Sequence, residues 1–137
     1  MYPALGIDHG EARIGLAATD PLGILAHPVE TIEVPTTDPL ARIAAIVAER
    51  GIRTLVLGLP LNLDDEEGPA AKKVRAFGDK LATRLPDLPL VYIDESHTTV
   101  TAAAKLREAG RKAKRQKDVI DQAAAVEILR LWMETGL

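Results

Sequence analysis

The sequence contains no cysteine, few aromatic side chains (one Trp, two Tyr and one Phe) and no long apolar run. The absence of cysteine excludes disulfides, thiolate zinc sites and a thiol nucleophile. The scarcity of aromatic residues disfavours a single-strand binding module that stacks bases on aromatic platforms. No segment is apolar over the length of a transmembrane helix, and the N-terminus lacks a signal-peptide pattern. We therefore expect a soluble, cytoplasmic protein with no membrane partner.

Charge is distributed unevenly along the chain. The formal net charge is -3, but the stretch from Lys105 to Lys117 contains seven Lys or Arg side chains and one acid, Glu108. Local clusters of one sign, rather than the total, attract polyanions. The sequence therefore predicts a nucleic-acid partner whose phosphates contact a basic loop before the last helix. The candidate contacts are Arg111, Lys112, Lys114, Arg115 and Lys117.

Short apolar segments alternate with helical patterns along the chain. Five segments have the length and flanking turn residues of strands: residues 4–8, 13–19, 24–32, 54–59 and 90–93. Pro28 puts the third strand at an edge or bends it. Helical spacing follows over residues 39–50, 69–85, 98–109 and 118–135. This order predicts one α/β domain over residues 1–137, with about five strands in a mixed sheet and helices on its faces.

Three carboxylates occupy positions that suggest a shared site. Asp8 follows one strand and Glu95 follows another, and the carboxyl ends of strands meet at one edge of an open α/β sheet. Asp121 interrupts an apolar helical face formed by Ala124, Ala125, Ile128 and Trp132. Each acid also has an ordinary explanation: a turn for Asp8, a solvated strand end for Glu95, and for Asp121 the first turn of a helix. Taken together, the three favour a site.

Four motifs extend this pattern over almost the whole chain. They are Asp8-His9-Gly10 with Arg13-Ile14-Gly15-Leu16-Ala17, Gly58-Leu59-Pro60-Leu61-Asn62-Leu63-Asp64 with Gly68-Pro69, Asp94-Glu95 with Thr98-Thr99, and Asp121 with Ala123-Ala124 and Ile128-Leu129. Together they resemble the YqgF/RuvX family of Holliday junction resolvase-like nucleases, assigned to pre-16S ribosomal RNA processing. The resemblance implies a ribonuclease H-like fold, with Asp8, Glu95 and Asp121 as metal-binding catalytic acids. Carboxylate oxygens suit Mg²⁺ or Mn²⁺, which can activate water without a side-chain nucleophile.

Two positions depart from the family pattern. Ser96 and His97 stand where the family usually has Arg and an apolar residue, so His97 is either a donor to nucleic acid or an ordinary loop residue. Asp118 lies near the helical face of Asp121 and is either a fourth metal ligand or an N-cap or first-turn acid of the helix. Asn62, in the loop after a central strand, is a further candidate for contacting nucleic acid.

The sequence thus predicts a metal-dependent nuclease that hydrolyses phosphodiester bonds. The resemblance implies pre-16S ribosomal RNA as the substrate, with branched or single-stranded DNA as the alternative. The departure at Ser96 and His97 leaves open a non-catalytic binding module of the same fold. A phosphate site of the sugar-kinase and actin type also uses Asp-x-Gly after a first strand, but it lies between two such domains, and this chain has the length of one.

Overall fold

The computed structural model of the chain describes residues 1–60, 67–94 and 113–135, with side chains from residue 120 onward in the last segment. Within these ranges five strands and three helices follow in this order: β1 (Ala4–His9), β2 (Arg13–Thr19), β3 (Ala26–Glu33), α1 (Pro39–Arg50), β4 (Thr54–Leu59), α2 (Pro69–Arg84), β5 (Leu90–Asp94) and α3 (Ala113–Glu134). The helix predicted over residues 98–109 lies outside the described residues.

The five strands form one mixed sheet in the order β3-β2-β1-β4-β5. β2 pairs antiparallel with both β1 and β3, whereas β4 runs parallel to both β1 and β5. The predicted hairpin, the predicted parallel strands and the predicted five-stranded sheet are therefore confirmed. Because β1, β4 and β5 run in one direction, their carboxyl ends meet at one edge of the sheet.

Strand β3 is both an edge strand and irregular, as Pro28 predicts. Leu16 of β2 lies opposite Glu30, but the next residue, Ala17, lies opposite Pro28. Val29 is therefore an extra residue on β3, and the strand contains a β-bulge at this point. Proline donates no ladder hydrogen bond, so an edge strand accommodates it at little cost.

Helix α1 begins and ends where its capping residues predict. Asp38 Oδ1 accepts hydrogen bonds from the backbone N–H groups of Leu40 and Ala41, at 3.1 and 3.4 Å, ahead of the first turn. At the other end Gly51 has a φ of 64°, in the left-handed region that glycine tolerates best. Local chemistry therefore defines this helix.

Large and small side chains are divided between the two faces of the sheet. The face under α1 and α2 carries buried aliphatic side chains, among them Leu5, Ile7, Leu55 and Leu57. On the face under α3, β1 and β2 carry small residues, Ala4, Gly6, Gly15 and Ala17, whereas β4 contributes the larger Val56. Small side chains let α3 approach the strands closely. A Cβ atom at Gly6 would lie 2.6 Å from Leu129 Cγ.

Helix α3 is longer than its sequence pattern predicts. We expected a basic loop and a helix start near Asp118, but the helix begins at Ala113. Lys, Arg and Gln have high helix propensity, so residues 113–117 extend the helix although cations are unfavourable near its N-terminus. The prediction of a loop is therefore wrong for three of the five basic residues: Lys114, Arg115 and Lys117. No helix in the described ranges is both long and apolar enough to cross a membrane.

Candidate active site

Asp8 lies near the carboxyl end of β1 and on the α3 side of the sheet. Along this strand Leu5 and Ile7 belong to the core under α1 and α2, whereas Ala4 belongs to the core under α3. Successive strand side chains alternate between the two faces, so Asp8 shares the face of Ala4. The strand therefore presents this carboxylate to α3 at the edge where the parallel strands end.

Asp121 approaches the same point from α3. In the antiparallel register Asp8 lies directly opposite Gly15 of β2, an arrangement in which the two Cα atoms are about 4.5–5.5 Å apart. A Cβ atom built on Gly15 would overlap the main-chain oxygen of Asp121 and would lie 2.8 Å from the Asp121 Cβ. Asp8 and Asp121 are therefore both immediate neighbours of Gly15, and only a residue without a side chain permits this approach.

Asp121 lies in the middle of α3 rather than at its start. It follows the first helical residue, Ala113, by two turns, so the first-turn explanation of its charge is wrong. Asp118 also lies inside the helix and is not its N-cap. The residues that follow Asp121 on the same face are buried as predicted: Ala124, Ala125, Ile128 and Trp132. Asp121 is thus an acid at the end of an apolar helical face.

Arg13 forms an ion pair with Asp121 that the sequence analysis did not select. Its Nε donates to Asp121 Oδ2 at 3.0 Å, and the two side chains are 28% and 19% exposed respectively. Arg13 precedes Gly15 by two residues on β2, and that spacing puts both on the α3 face. The spacing identifies Arg13 only once the register has placed Gly15 opposite Asp8, so the sequence alone carried no sufficient signal for it.

Thr31 of β3 continues the row of residues that runs across the strands from Asp8 through Gly15. It lies opposite Gly15 in the β2–β3 register, on the other side from Asp8. Its Oγ1 accepts a hydrogen bond from Gln122 Nε2 at 3.1 Å. Asp121 therefore lies against Gly15, and the next residue, Gln122, contacts Thr31. These two contacts define the rotation of α3 above the sheet.

The carboxyl end of β5 lies at the same edge, with β4 between it and β1. Asp94 is the last residue of β5 and lies opposite Leu59 of β4. Because Ile93 packs against the core under α3, Asp94 lies on the other face from Asp8. With a strand spacing of about 4.8 Å, the end of β5 is about 10 Å from Asp8. Glu95 follows Asp94 in the sequence and lies outside the described residues.

Several other predicted site residues cannot be compared with the structure. Asn62, His97, Arg111 and Lys112 lie outside the described residues. In the part of α3 described by its backbone alone lie Lys114, Arg115, Lys117 and Asp118. Their predicted roles stay predictions.

His9, the residue after Asp8, belongs to the opposite face. Its ring centroid is 4.6 Å from that of Phe77 on α2. Burial, with a smaller contribution from the nearby charge of Lys73, lowers the pKa of His9 below its ordinary value of 6.5. His9 therefore packs beside the aliphatic core and does not join the carboxylates over Gly15.

The two described carboxylates beside Gly15 carry oxygen atoms of the kind that binds hard cations. Across residues 1–60, 67–94 and 113–135 no group of three or more His, Cys, Asp or Glu side chains could hold a metal ion. Asp8 and Asp121 are a pair of acids, and a pair needs further ligands to complete the coordination of a hard cation. Carboxylate oxygens are the ligands that Mg²⁺ and Mn²⁺ prefer.

Comparisons with known proteins agree with this architecture. The sequence profile of a family described as RuvX: Holliday junction resolvase matches residues 3–135. Two proteins named "Putative pre-16S rRNA nuclease", from Nocardioides sp. and Streptomyces avermitilis, are each 48% identical to this chain over 136 and 134 residues. The alignments cover 96% of this chain and 86% and 85% of those proteins.

Two solved structures have a fold similar to that of this chain. The Thermus thermophilus RuvC structure has a TM-score of 0.59 and 15% sequence identity, covering 97% of this chain and 96% of that chain. T. thermophilus RuvC in complex with a Holliday junction substrate has a TM-score of 0.56 at 15% identity, covering 97% and 95%. At this identity the likeness concerns the fold alone, and the predicted ribonuclease H-like fold is confirmed.

Proposed function

The chain belongs to the RuvX family, and from the convergence of Asp8 and Asp121 over Gly15 we propose that it is a divalent-metal-dependent nuclease. Two acids from distant parts of the chain meet at a partly buried sheet edge. Such an arrangement costs stability through repulsion and desolvation, and it is found mainly where function requires it. The convergence is the observation that supports the proposal most directly.

Asp8, Glu95 and Asp121 are the proposed metal ligands, and Asp118 is a candidate fourth. The donor set fits a hard divalent ion, because the two described acids share one face and offer carboxylate oxygens. Glu95 follows β5 directly in the sequence, and β5 ends at the same sheet edge as β1. When bound, the ion would supply Lewis acidity for a water nucleophile and for the leaving oxygen.

The surrounding residues of the chain position the acids. Gly15 lets the main chain of Asp121 approach β2, and the hydrogen bond from Gln122 to Thr31 holds that turn of α3 against β3. Leu129, farther along α3, is fully buried over Gly6. The helix–sheet interface behind the carboxylates is therefore closely packed and apolar.

The precursor of 16S ribosomal RNA is the proposed substrate. The names of relatives at 48% identity support it, and so do the cations that precede Asp118 and Asp121 in the sequence. Phosphate contacts position a nucleic acid without reading its sequence. The proposed phosphate contacts are Arg111, Lys112, Lys114, Arg115 and Lys117, with Asn62 and His97 as further contacts.

A cleavage assay tests this function. Purified protein is incubated with RNA spanning the 5′ end of the 16S precursor, with single-stranded DNA and with a four-way DNA junction, each in Mg²⁺, Mn²⁺ or EDTA. We expect cleavage of the RNA that EDTA abolishes. Asp8→Asn, Glu95→Gln and Asp121→Asn should each lower the rate by more than about 100-fold, the upper range for losing a mere outer-shell partner of a metal.

Glu127→Gln is the matched control for the acid substitutions. Glu127 lies on the same helix as Asp121, and its carboxylate accepts a hydrogen bond from Arg130 at 3.0 Å, away from the site. This variant loses the same charge and should cleave at the parent rate. A loss equal to that of Asp121→Asn would mean that any acid on α3 affects activity through folding.

Resolution of branched DNA is the second candidate function, favoured by the description of the family as Holliday junction resolvase. Cleavage of the junction without cleavage of the RNA would replace the proposed substrate. Binding of nucleic acid without cleavage under any metal condition would support a non-catalytic module and would contradict the proposed enzyme.

The basic residues have a test of their own. Neutralising Arg111, Lys112, Lys114 and Arg115 together should weaken binding to all sequences. On duplex DNA each lost phosphate contact removes about 0.9 from the slope of log affinity against log salt. An unchanged slope would mean that these cations are only solvated charge.

A further inference from the structure

Arg13 donates to its carboxylate partner through one nitrogen, Nε. The two other described arginines whose Nε binds a carboxylate, Arg42 and Arg75, each donate through a second nitrogen as well. Arg42 donates from Nε and Nη2 to the two oxygens of Glu30, at 2.9 and 2.7 Å. Arg75 donates in the same way to Glu67, at 2.6 and 2.7 Å. Arg13 contacts Asp121 through Nε alone. Within the described part of the chain, its two terminal amino groups make no hydrogen bond to a carboxylate.

The orientation of Arg13 leaves a fork of donors at the site. A guanidinium carries five N–H groups in one plane, and the terminal pair matches two oxygens of a phosphate. Arg13 is the first residue of β2, at the edge where β1 ends, and its side chain is 28% exposed. Part of the Arg13 side chain beside Asp121 is therefore accessible to solvent.

We propose that Arg13 binds a backbone phosphate of the nucleic acid, with Asp121 anchoring its Nε. This inference rests on the proposed function and adds a residue that contacts the substrate. The ligand class is any phosphodiester, since phosphate contacts do not read bases. A carboxylate has about four acceptor positions, so anchoring Nε is compatible with a role of Asp121 as a metal ligand.

Equilibrium binding without metal tests the inference. The probes are fluorescein-labelled single-stranded RNA and a labelled four-way DNA junction, titrated in EDTA over a range of NaCl concentrations. Arg13→Gln should weaken binding about tenfold or more, the usual effect of losing charge-assisted hydrogen bonds. The slope of log affinity against log salt should fall by about 1.

Arg42→Gln is the matched control. It removes an arginine that also pairs with a carboxylate, but on α1, beneath the opposite face of the sheet. The net charge changes by the same amount, so a general electrostatic effect would appear equally in both variants. Equal affinities and equal slopes for the Arg13 and Arg42 variants would overturn the inference.

Two further variants separate phosphate contact from simple neutralisation of Asp121. Arg13→Lys keeps the charge but lacks the planar fork, so it should keep the salt slope and lose affinity, and it provides a readout if Arg13→Gln does not fold. In an Asp121→Asn background, where the amide oxygen can still accept from Nε, Arg13→Gln should again cost about tenfold. Disappearance of that cost would show that Arg13 only balances the charge of Asp121.

The inference and the proposed nuclease can fail separately. A parent protein that cleaves RNA while its Arg13 variant binds like the Arg42 variant keeps the function and loses the inference. A parent that never cleaves, but whose binding depends on Arg13 as described, keeps the inference and loses the function. A parent that binds neither probe in EDTA overturns the inference.

Discussion

At β1 and β2 the two faces of the sheet carry different kinds of side chain. Under α1 and α2, β1 presents Leu5 and Ile7, and β4 presents Leu55 and Leu57. Under α3 the alternate positions in the apolar part of β1 and β2 are small, at Ala4, Gly6, Gly15 and Ala17. The larger sheet residues of this face, Val56, Val91 and Ile93, lie on β4 and β5. Long side chains keep α1 and α2 away from the sheet, whereas small side chains let the backbone of α3 contact the strands.

Because of this difference, the α1 and α2 face mainly stabilises the fold, whereas the α3 face mainly determines the geometry of the site. On the α1 and α2 face, apolar area removed from water supplies the stabilisation. On the α3 face, close approach of two backbones lets short acids from a strand and a helix meet, because neither side chain has to bridge a thick layer. Asp8 and Asp121 lie at the end of that thin layer, where the apolar contacts stop and solvent begins.

The largest effect on stability should come from the face of large residues. Leu57 is fully buried, and Leu57→Ala leaves a cavity that should lower the free energy of unfolding by about 3 kcal/mol. Because this cavity lies on the opposite side of the sheet from Asp8, cleavage per folded molecule should stay near that of the parent. Urea denaturation and the RNA cleavage assay measure the two quantities. A parallel loss of both would remove the distinction between the faces.

Adding bulk to the other face should give a smaller loss of stability but a larger loss of activity. In Gly15→Ala the new methyl group overlaps the main-chain oxygen of Asp121, so α3 must shift, at a cost of about 2 kcal/mol. The shift moves Asp121 relative to Asp8, and cleavage per folded molecule should fall.

Gly68→Ala is the control for the glycine substitution. A Cβ atom at Gly68 meets nothing within 4 Å, so stability should change by less than about 1 kcal/mol. Activity should stay at the parent level. If Gly15→Ala behaves in the same way, the close approach of α3 does not position the acids.

Features set by neighbouring residues were predictable from sequence, and those set by distant contacts were less so. Asp38 and Gly51 supplied their own capping signals, and Pro28 indicated both the edge and the irregularity of β3. Ala113 carries no such signal, since the cations after it are merely good helix formers, and the start of α3 was misplaced. The partnership of Arg13 with Asp121 spans 108 residues, and it becomes visible only once the register places Gly15 between Asp8 and α3.

Asp121→Asn should change stability little while it removes activity. In the absence of metal, the loss of repulsion from Asp8 and the loss of the ion pair with Arg13 oppose each other. The free energy of unfolding should therefore change by no more than about 1 kcal/mol. Added Mn²⁺ should raise the melting temperature of the parent more than that of the variant, because binding to the native state stabilises it. Thermal melts in EDTA and in Mn²⁺ measure both, with Glu127→Gln as control. A strongly destabilised variant that still cleaves RNA would remove Asp121 from the site.

The smallest effect concerns His9, the residue after Asp8, whose side chain lies on the α1 and α2 face of the sheet. Burial, and to a lesser extent Lys73, lowers the pKa of His9 in the folded chain. At a pH below about 6.5, the pKa of histidine in the unfolded chain, His9 is protonated in the unfolded chain but still neutral in the folded one. The free energy of unfolding therefore decreases as the pH falls from about 6.5 towards the lower pKa of the folded chain. A single group cannot contribute more than about 1.4 kcal/mol per pH unit. Urea denaturation at pH 7.5 and 5.5 should show a smaller pH dependence for His9→Phe, which keeps an aromatic ring against Phe77, than for the parent. Lys73→Gln should reduce the dependence only in part, because burial is the larger cause. An identical pH dependence in His9→Phe and the parent would mean that the neutral imidazole contributes nothing to this face.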